Sequence, residues 1–250
     1  MGYHAVVLRY NVFMTESDDF SVVFEGKHLE KCDHSIYPAA IRDIAKAFVT
    51  IHDHAVEWLV DTDKIAICGF SAGGNNVLNY AVNYDKAVIT DVFDSEKVKP
   101  AVVVASYPLS DYVYMKEFLK TQDDMAKNLF RIGNLSLFGK EEPTEEEFAK
   151  LSPNRLVTQT TPPTFLWATA GDRLAPVGHT TRMATALADA GVPFEVHIYE
   201  EGDHGLALAI QATAKAKTEL NSIAAEWMTS ADIWLQKRFA LPLEEKSRWA

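Results

Sequence analysis

The segment "KIAICGFSAGGNNVLNYAVNY" (64–84) decides the fold. Its opening "KIAIC" (64–68) is a short apolar run, the pattern of a buried strand. "GFSAGG" (69–74) follows, and "NNVLNYAVNY" (75–84) then reads as a helix. A strand, a tight glycine-bounded turn and a helix are thus predicted in immediate succession. Gly69-Phe70-Ser71-Ala72-Gly73 matches G-x-S-x-G. A serine on so sharp a turn needs small neighbours two places away. The turn lifts its Oγ clear of the backbone, and the helix amides beyond it point at developing negative charge. The competing reading is a βα turn that cradles a phosphate. Neither a P-loop Lys-Ser/Thr nor a G-x-G-x-x-G accompanies the turn, so Ser71 is read as a nucleophile.

Outward from this segment, strand-like and helix-like runs alternate. Further strands are predicted at "HAVVLRY" (4–10), "AVVVAS" (101–106), "PPTFLWATA" (162–170) and "VPFEVHIYE" (192–200). A helix is predicted from Pro38, with Ile41, Ile44, Phe48, Ile51, Ala55 and Trp58 as its apolar stripe. A second spans 177–190 and is closed by Gly191. Residues 11–36 read as a loop. Residues 205–239 read as mostly helical, with Leu206, Ile210, Leu220, Ile223, Trp227 and Trp234 as buried positions. Alternation of this kind predicts an α/β fold: one domain over 1–250, with a mostly parallel sheet and helices on both faces. A segment at about 110–160 interrupts the rhythm. It holds a predicted helix over 112–130 and another starting at Glu145, where Thr144 and Glu147 have capping-box spacing. A lid over the site and a packing elaboration are both open for it.

Composition narrows the function classes. Of 250 residues, 48% are hydrophobic, enough for a substantial core. The net charge of −11 argues against nucleic acid or an anionic membrane as partner. No apolar run is long enough to span a bilayer and no secretory signal is visible. Val6 stands where a myristoylation motif wants Ser or Thr. Cys32 and Cys68 read as free thiols in a reducing cytosol, so a cytoplasmic location is expected. A sequon pattern at 134–136 carries no meaning without export. A homodimer is left open.

A nucleophilic serine needs a base and an orienting acid. His204, in "EEGDHGLAL", follows the last strand and has Gly202 and Gly205 beside it. His197 lies inside that strand and reads as a side chain on the sheet face. His52 and His54, two apart on a helix, do not share a face and make poor metal ligands. Asp172, in "ATAGDRLAP", sits directly after strand 162–170, where acids of parallel strands converge on a neighbouring strand's end. Asp111, after strand 101–106, is the alternative acid. The order Ser71, Asp172, His204 is the one used by hydrolases that carry a nucleophile elbow. Tyr10, Phe70, Tyr107 and Pro108 are candidate pocket residues.

"GFSAGG", "SPNRLVTQTTPPTFLWATAGDRLAPV", "MATALADAGVPFEVHIYEEGDHGLALA" and "YPAAIRDIAKAF" together resemble the acetyl-esterase/lipase-like carbohydrate esterases of the α/β-hydrolase superfamily. The resemblance runs from Gly2 to about Gln236. It implies Ser71 as nucleophile, His204 as base and Asp172 as orienting acid. It implies a small acyl-ester substrate, often an acetylated sugar, and neither metal nor organic cofactor. It also implies an oxyanion hole with two donors. Ala72 supplies one, but the H-G-G-G-type segment that supplies the other is missing from this chain. In the resembling family a strand from that upstream region lies between those matching "HAVVLRY" and "KIAIC". The chain therefore reads as an N-terminally truncated member. Three expectations follow: a start further upstream, which is favoured; a shrunken sheet in which the flanking strands pair; or a strand supplied by another chain. The alternative function is a catalytically impaired hydrolase fold with a binding or assembly role.

Overall fold

A computed structural model of the chain describes residues 3–14, 21, 25, 29–30 and 32–240. The apolar runs at 64–68, 101–106, 162–170 and 192–200 become β1 (Ala66–Phe70), β2 (Val102–Ser106), β3 (Thr164–Thr169) and β4 (Phe194–Tyr199). They form one parallel sheet in the order β1-β2-β3-β4. β2 and β3 are buried at every position, as central strands of a sheet covered on both faces must be.

One face carries α1 (Ala39–Asp53), α3 (Ala72–Ala81) and α8 (Gly178–Asp189). Ile41, Ile44 and Phe48 of α1 meet Val77, Leu78 and Tyr80 of α3 over Ile67, Val103 and Leu166. On the other face Trp227 and Trp234 of α9 (Trp227–Phe239) pack with Val104, Phe165 and Trp167. Fully burying side chains of this size contributes about 1.5–3 kcal/mol each. α2 (Ala55–Trp58) and α4 (Ala87–Thr90) are single turns at the periphery. Between β2 and β3 lie α5 (Tyr112–Leu119), α6 (Asp124–Phe138) and α7 (Glu145–Lys150). α7 starts on the expected capping box, with the Thr144 side chain and the Glu147 carboxylate exchanging hydrogen bonds with each other's backbone.

Several expectations are corrected. Residues 4–10 form no strand. They run as irregular chain without a sheet partner among the described residues, and Val7 is 94% exposed. A β-branched run supplies strand propensity, but only a neighbour's hydrogen bonds make a strand. β1 therefore lies at the sheet border. Its Ala66 and Cys68 are exposed rather than buried. The helix expected over 112–130 is two helices. Asp123 accepts the N–H of Ala126 at 2.9 Å and caps a fresh start for α6. Residues 205–226 are turns and short 3-10 segments, with Ala207 and Ala209 at positive φ, so Leu220 and Ile223 are exposed; only Trp227–Phe239 is α-helical. The loop expected at 11–36 lies partly outside the described residues.

Candidate active site

β1 delivers Ser71 to the end of the sheet, and α3 begins at the next residue. Ser71 has φ 53° and ψ −117°, a conformation that costs an ordinary side chain about 1–3 kcal/mol. The strain is held by neighbours. The Ser71 N–H donates to the Ser106 carbonyl at 3.0 Å, and its own carbonyl accepts the N–H of Asn75 at 3.0 Å. A Cβ on Gly69 would collide with the Gly73 carbonyl and lie 2.8 Å from the Gly74 nitrogen. A Cβ on Gly74 would lie 3.0 Å from the Ser106 carbonyl oxygen, whereas one on Gly73 would meet open space. The need for small residues thus falls on Gly69 and Gly74. Gly73, the second glycine of the motif, contributes its backbone.

Ser71 Oγ lies 2.7 Å from His204 Nε2, and His204 Nδ1 lies 2.7 Å from Asp172 Oδ2. Asp172 sits in the turn after β3, its carboxylate 1% exposed. Its other oxygen accepts the N–H groups of Leu174 at 2.9 Å and Ala175 at 2.8 Å, so both oxygens are occupied and the side chain has one orientation. With Asp172 accepting at Nδ1, the imidazole carries its proton there and presents a lone pair at Nε2 to the serine hydroxyl. The loop bearing His204 is drawn onto the end of β3: Thr169 Oγ1 donates to the Gly202 carbonyl at 2.7 Å, and Gly171 abuts the same carbonyl.

Asp111, the alternative acid, does other work. It is buried, caps α5 by accepting the Tyr114 N–H at 3.1 Å, and accepts from Asn154 at 3.1 Å. Arg155 and Arg182 flank it at 3.5 and 3.7 Å. His197 pairs with Glu195 at 2.8 Å and stacks on Phe165. Asn134 of the sequon pattern is buried within α6. Among the described residues no group of three or more His, Cys, Asp and Glu is placed to hold a metal, and no helix is long and apolar enough to cross a membrane.

Ser71, Ala72 and His204 open onto a cavity of about 340 Å³. Tyr10 lines it, as do Val12 and Phe13. Phe70, Tyr107 and Pro108 do not. Phe70 packs away from it against Tyr107 and Trp227, Tyr107 lies beside the His204 ring, and Pro108 is buried against Gly74. Much of the wall comes instead from the 110–160 segment, through Tyr112, Met115, Leu129 and Phe130 of α5 and α6. Ala72 is the first residue of α3, whose opening amides have no partner within the helix.

Two organising residues were not visible in the sequence. Asn75 donates to the Leu109 carbonyl at 2.9 Å. His179 is fully buried, and its Nδ1 accepts the N–H groups of Ser110 at 3.2 Å and Asp111 at 3.1 Å. Burial pushes its pKa down to about 3, so it is neutral, with its proton on Nε2. The only signal was position: His179 opens the helix after the acid turn, where a side chain can reach the loop following the adjacent strand.

A parallel sheet with helices on both faces and a strained strand–serine–helix elbow defines an α/β-hydrolase. The chain belongs to the BD-FAE family, whose model matches residues 17–187. It is 29% identical over 180 residues to endo-1,4-beta-xylanase B of Butyrivibrio fibrisolvens, covering 70% of this chain and 25% of that protein. The chain thus spans about a quarter of the length of that relative. Among solved structures it is similar to the carboxylesterase Cest-2923 of Lactobacillus plantarum, with a TM-score of 0.66 and 27% identity over 83% of this chain and 70% of that one. It is also similar to the acetyl ester-xyloside bifunctional hydrolase of Caldicellulosiruptor lactoaceticus, with a TM-score of 0.62 and 29% identity over 80% and 66%.

Proposed function

We propose that the chain is a serine esterase that cleaves short-chain acyl esters, acetyl esters of sugars among them. The observation that carries this reading is the unbroken sequence of 2.7 Å contacts from Ser71 through His204 to Asp172, opening on a cavity. The esterases among its relatives support it. Ser71 Oγ attacks the ester carbonyl while His204 Nε2 takes the hydroxyl proton. Asp172 steadies the imidazolium, and the Ala72 N–H donates to the oxyanion. The tetrahedral adduct collapses, His204 returns the proton to the departing alcohol, and an acyl-serine remains. Water, giving its proton to His204, attacks the acyl group and releases the acid and free Ser71.

Hydrolysis of 4-nitrophenyl acetate and acetate release from peracetylated xylose test the reading. Ser71→Ala is expected to lower both by about 10⁴-fold or more. A folded Ser71→Ala protein with an undiminished rate would sink the proposal. The rival reading is a hydrolase fold kept for binding. It requires a folded wild-type chain that neither turns over ester nor is labelled at Ser71 by a fluorophosphonate.

A further inference from the structure

His204 stands on a loop with little structure of its own. From the end of β4 to the start of α9 the chain makes turns and short 3-10 segments. Yet its imidazole must hold a 2.7 Å contact with Ser71, beyond the end of β1. What fixes it is found at the end of β2. Ser106, the last residue of that strand, accepts the Ser71 N–H, and the next residue, Tyr107, reaches the histidine loop. The Tyr107 ring meets the His204 ring edge to face, with centroids 5.1 Å apart and planes at 74°. Its hydroxyl accepts the N–H of Ala207 at 3.1 Å. Ala207 is fastened from the other side, its carbonyl accepting the Trp227 indole N–H at 3.0 Å. Both ends of this tether are strained: Tyr107 has φ 37° and Ala207 φ 51°, values rarely adopted by residues with a side chain. The Tyr107 backbone is pinned by its N–H to the Trp167 carbonyl at 2.6 Å, and its ring is wedged edge-on against Trp167. Strain that surroundings over-determine is a mark of a functional position. Tyr107 is not among the residues that line the cavity.

We propose that Tyr107 is a positioning residue for His204, holding the imidazole in register with Ser71 through its ring and through its hydrogen bond to Ala207. One dipeptide, Ser106-Tyr107, thereby sets both the nucleophile and the base. The proposal rests on the reading of His204 as the general base. Burial pushes the Tyr107 phenol up to about 12, so it remains a neutral acceptor for the Ala207 N–H throughout the working range.

The test compares Tyr107→Phe in two backgrounds, with 4-nitrophenyl acetate as substrate and the melting temperature as a check on folding. In the wild-type background Tyr107→Phe is expected to lower kcat about tenfold with KM within about twofold, the mark of a misplaced group rather than a lost binding contact. In a His204→Ala background, already slowed by about 10³-fold or more, the same change is expected to alter the residual rate less than about twofold. An unchanged kcat for Tyr107→Phe overturns the positioning role while leaving His204 as base. Equal losses in both backgrounds overturn it too, because the residue then acts without the imidazole. Wild-type activity in His204→Ala overturns the base and this proposal together, as does an inert wild-type chain. Should Tyr107→Phe not fold, Trp227→Phe unties the same loop from its other side and carries the same comparison.

Discussion

The backbone N–H of Ser71 donates to the carbonyl of Ser106 across 3.0 Å, one rung beyond the last paired residues of β1 and β2, Phe70 and Ser106. That rung fixes Ser71 relative to the sheet, and Gly74 covers the same carbonyl. Gly69→Ala is expected to destabilise the fold by about 3 kcal/mol or more, since the colliding atoms are backbone. Gly73→Ala, facing open space inside α3, is expected to be neutral or stabilising by up to about 1 kcal/mol. Denaturant midpoints of the two variants check the contrast, and equal midpoints would refute it.

Asp172→Asn keeps the shape but reverses a hydrogen bond. The amide oxygen is held by the Leu174 and Ala175 N–H groups, which leaves the NH₂ facing His204 Nδ1. The imidazole must then accept at Nδ1 and carry its proton at Nε2, where it cannot take one from Ser71. The expected loss in kcat is about 10³–10⁴-fold, with the melting temperature nearly unchanged. A loss below tenfold would point to a different orienting acid.

Buried His179 makes stability depend on acid. Its pKa is lowered from 6.5 to about 3, chiefly by burial, with the weaker pull of Asp111 in the opposite direction. Between those values the unfolded chain binds a proton that the folded chain does not. Stability from this residue is therefore complete above about pH 6.5 and is lost progressively as the pH falls toward 3, by a few kcal/mol in all. Urea midpoints recorded from pH 7 to pH 4 should fall less steeply for His179→Asn, whose side-chain oxygen can replace Nδ1 as acceptor. Parallel slopes would contradict the assignment.

The α5–α6 wall should set how large an acyl group is accepted. Phe130 stands in the cavity lining and packs on Tyr112 and Phe148. Phe130→Ala is expected to raise the ratio of kcat/KM for 4-nitrophenyl hexanoate over acetate by about fivefold or more, from the burial of extra methylenes. A ratio that does not move would place the acyl group elsewhere.

Where a motif or a strand end marks the residue, the chain was readable. The four strands were evident as short apolar runs, and G-x-S-x-G followed by Asp172 and His204 picked out the side chains that the fold joins through two 2.7 Å contacts, Ser71 to His204 and His204 to Asp172. Where a role depends on a distant partner that no motif marks, the sequence was silent. Tyr107 and Ala207 meet across 100 positions, and His179 reaches Ser110 across 69. The run at 4–10 failed for the same reason, since strand propensity does not create the neighbour a strand must pair with. Residues 205–226 were misread because their apolar spacing suits a helix, whereas positive φ at Ala207 and Ala209 turns the chain back onto Tyr107 and Trp227.

The border position of β1 bears on how the protein fails. Among the described residues β1 is paired on one side only, and with Ala66 and Cys68 open on one face it is more prone to fraying than the buried strands β2 and β3. It is also the strand that leads into Ser71. Warming or dilute denaturant should therefore unseat Ser71 while β2 and β3 are still intact. Inactivation would then run ahead of the loss of helical circular dichroism, and β1 amides would exchange with deuterium before those of β3.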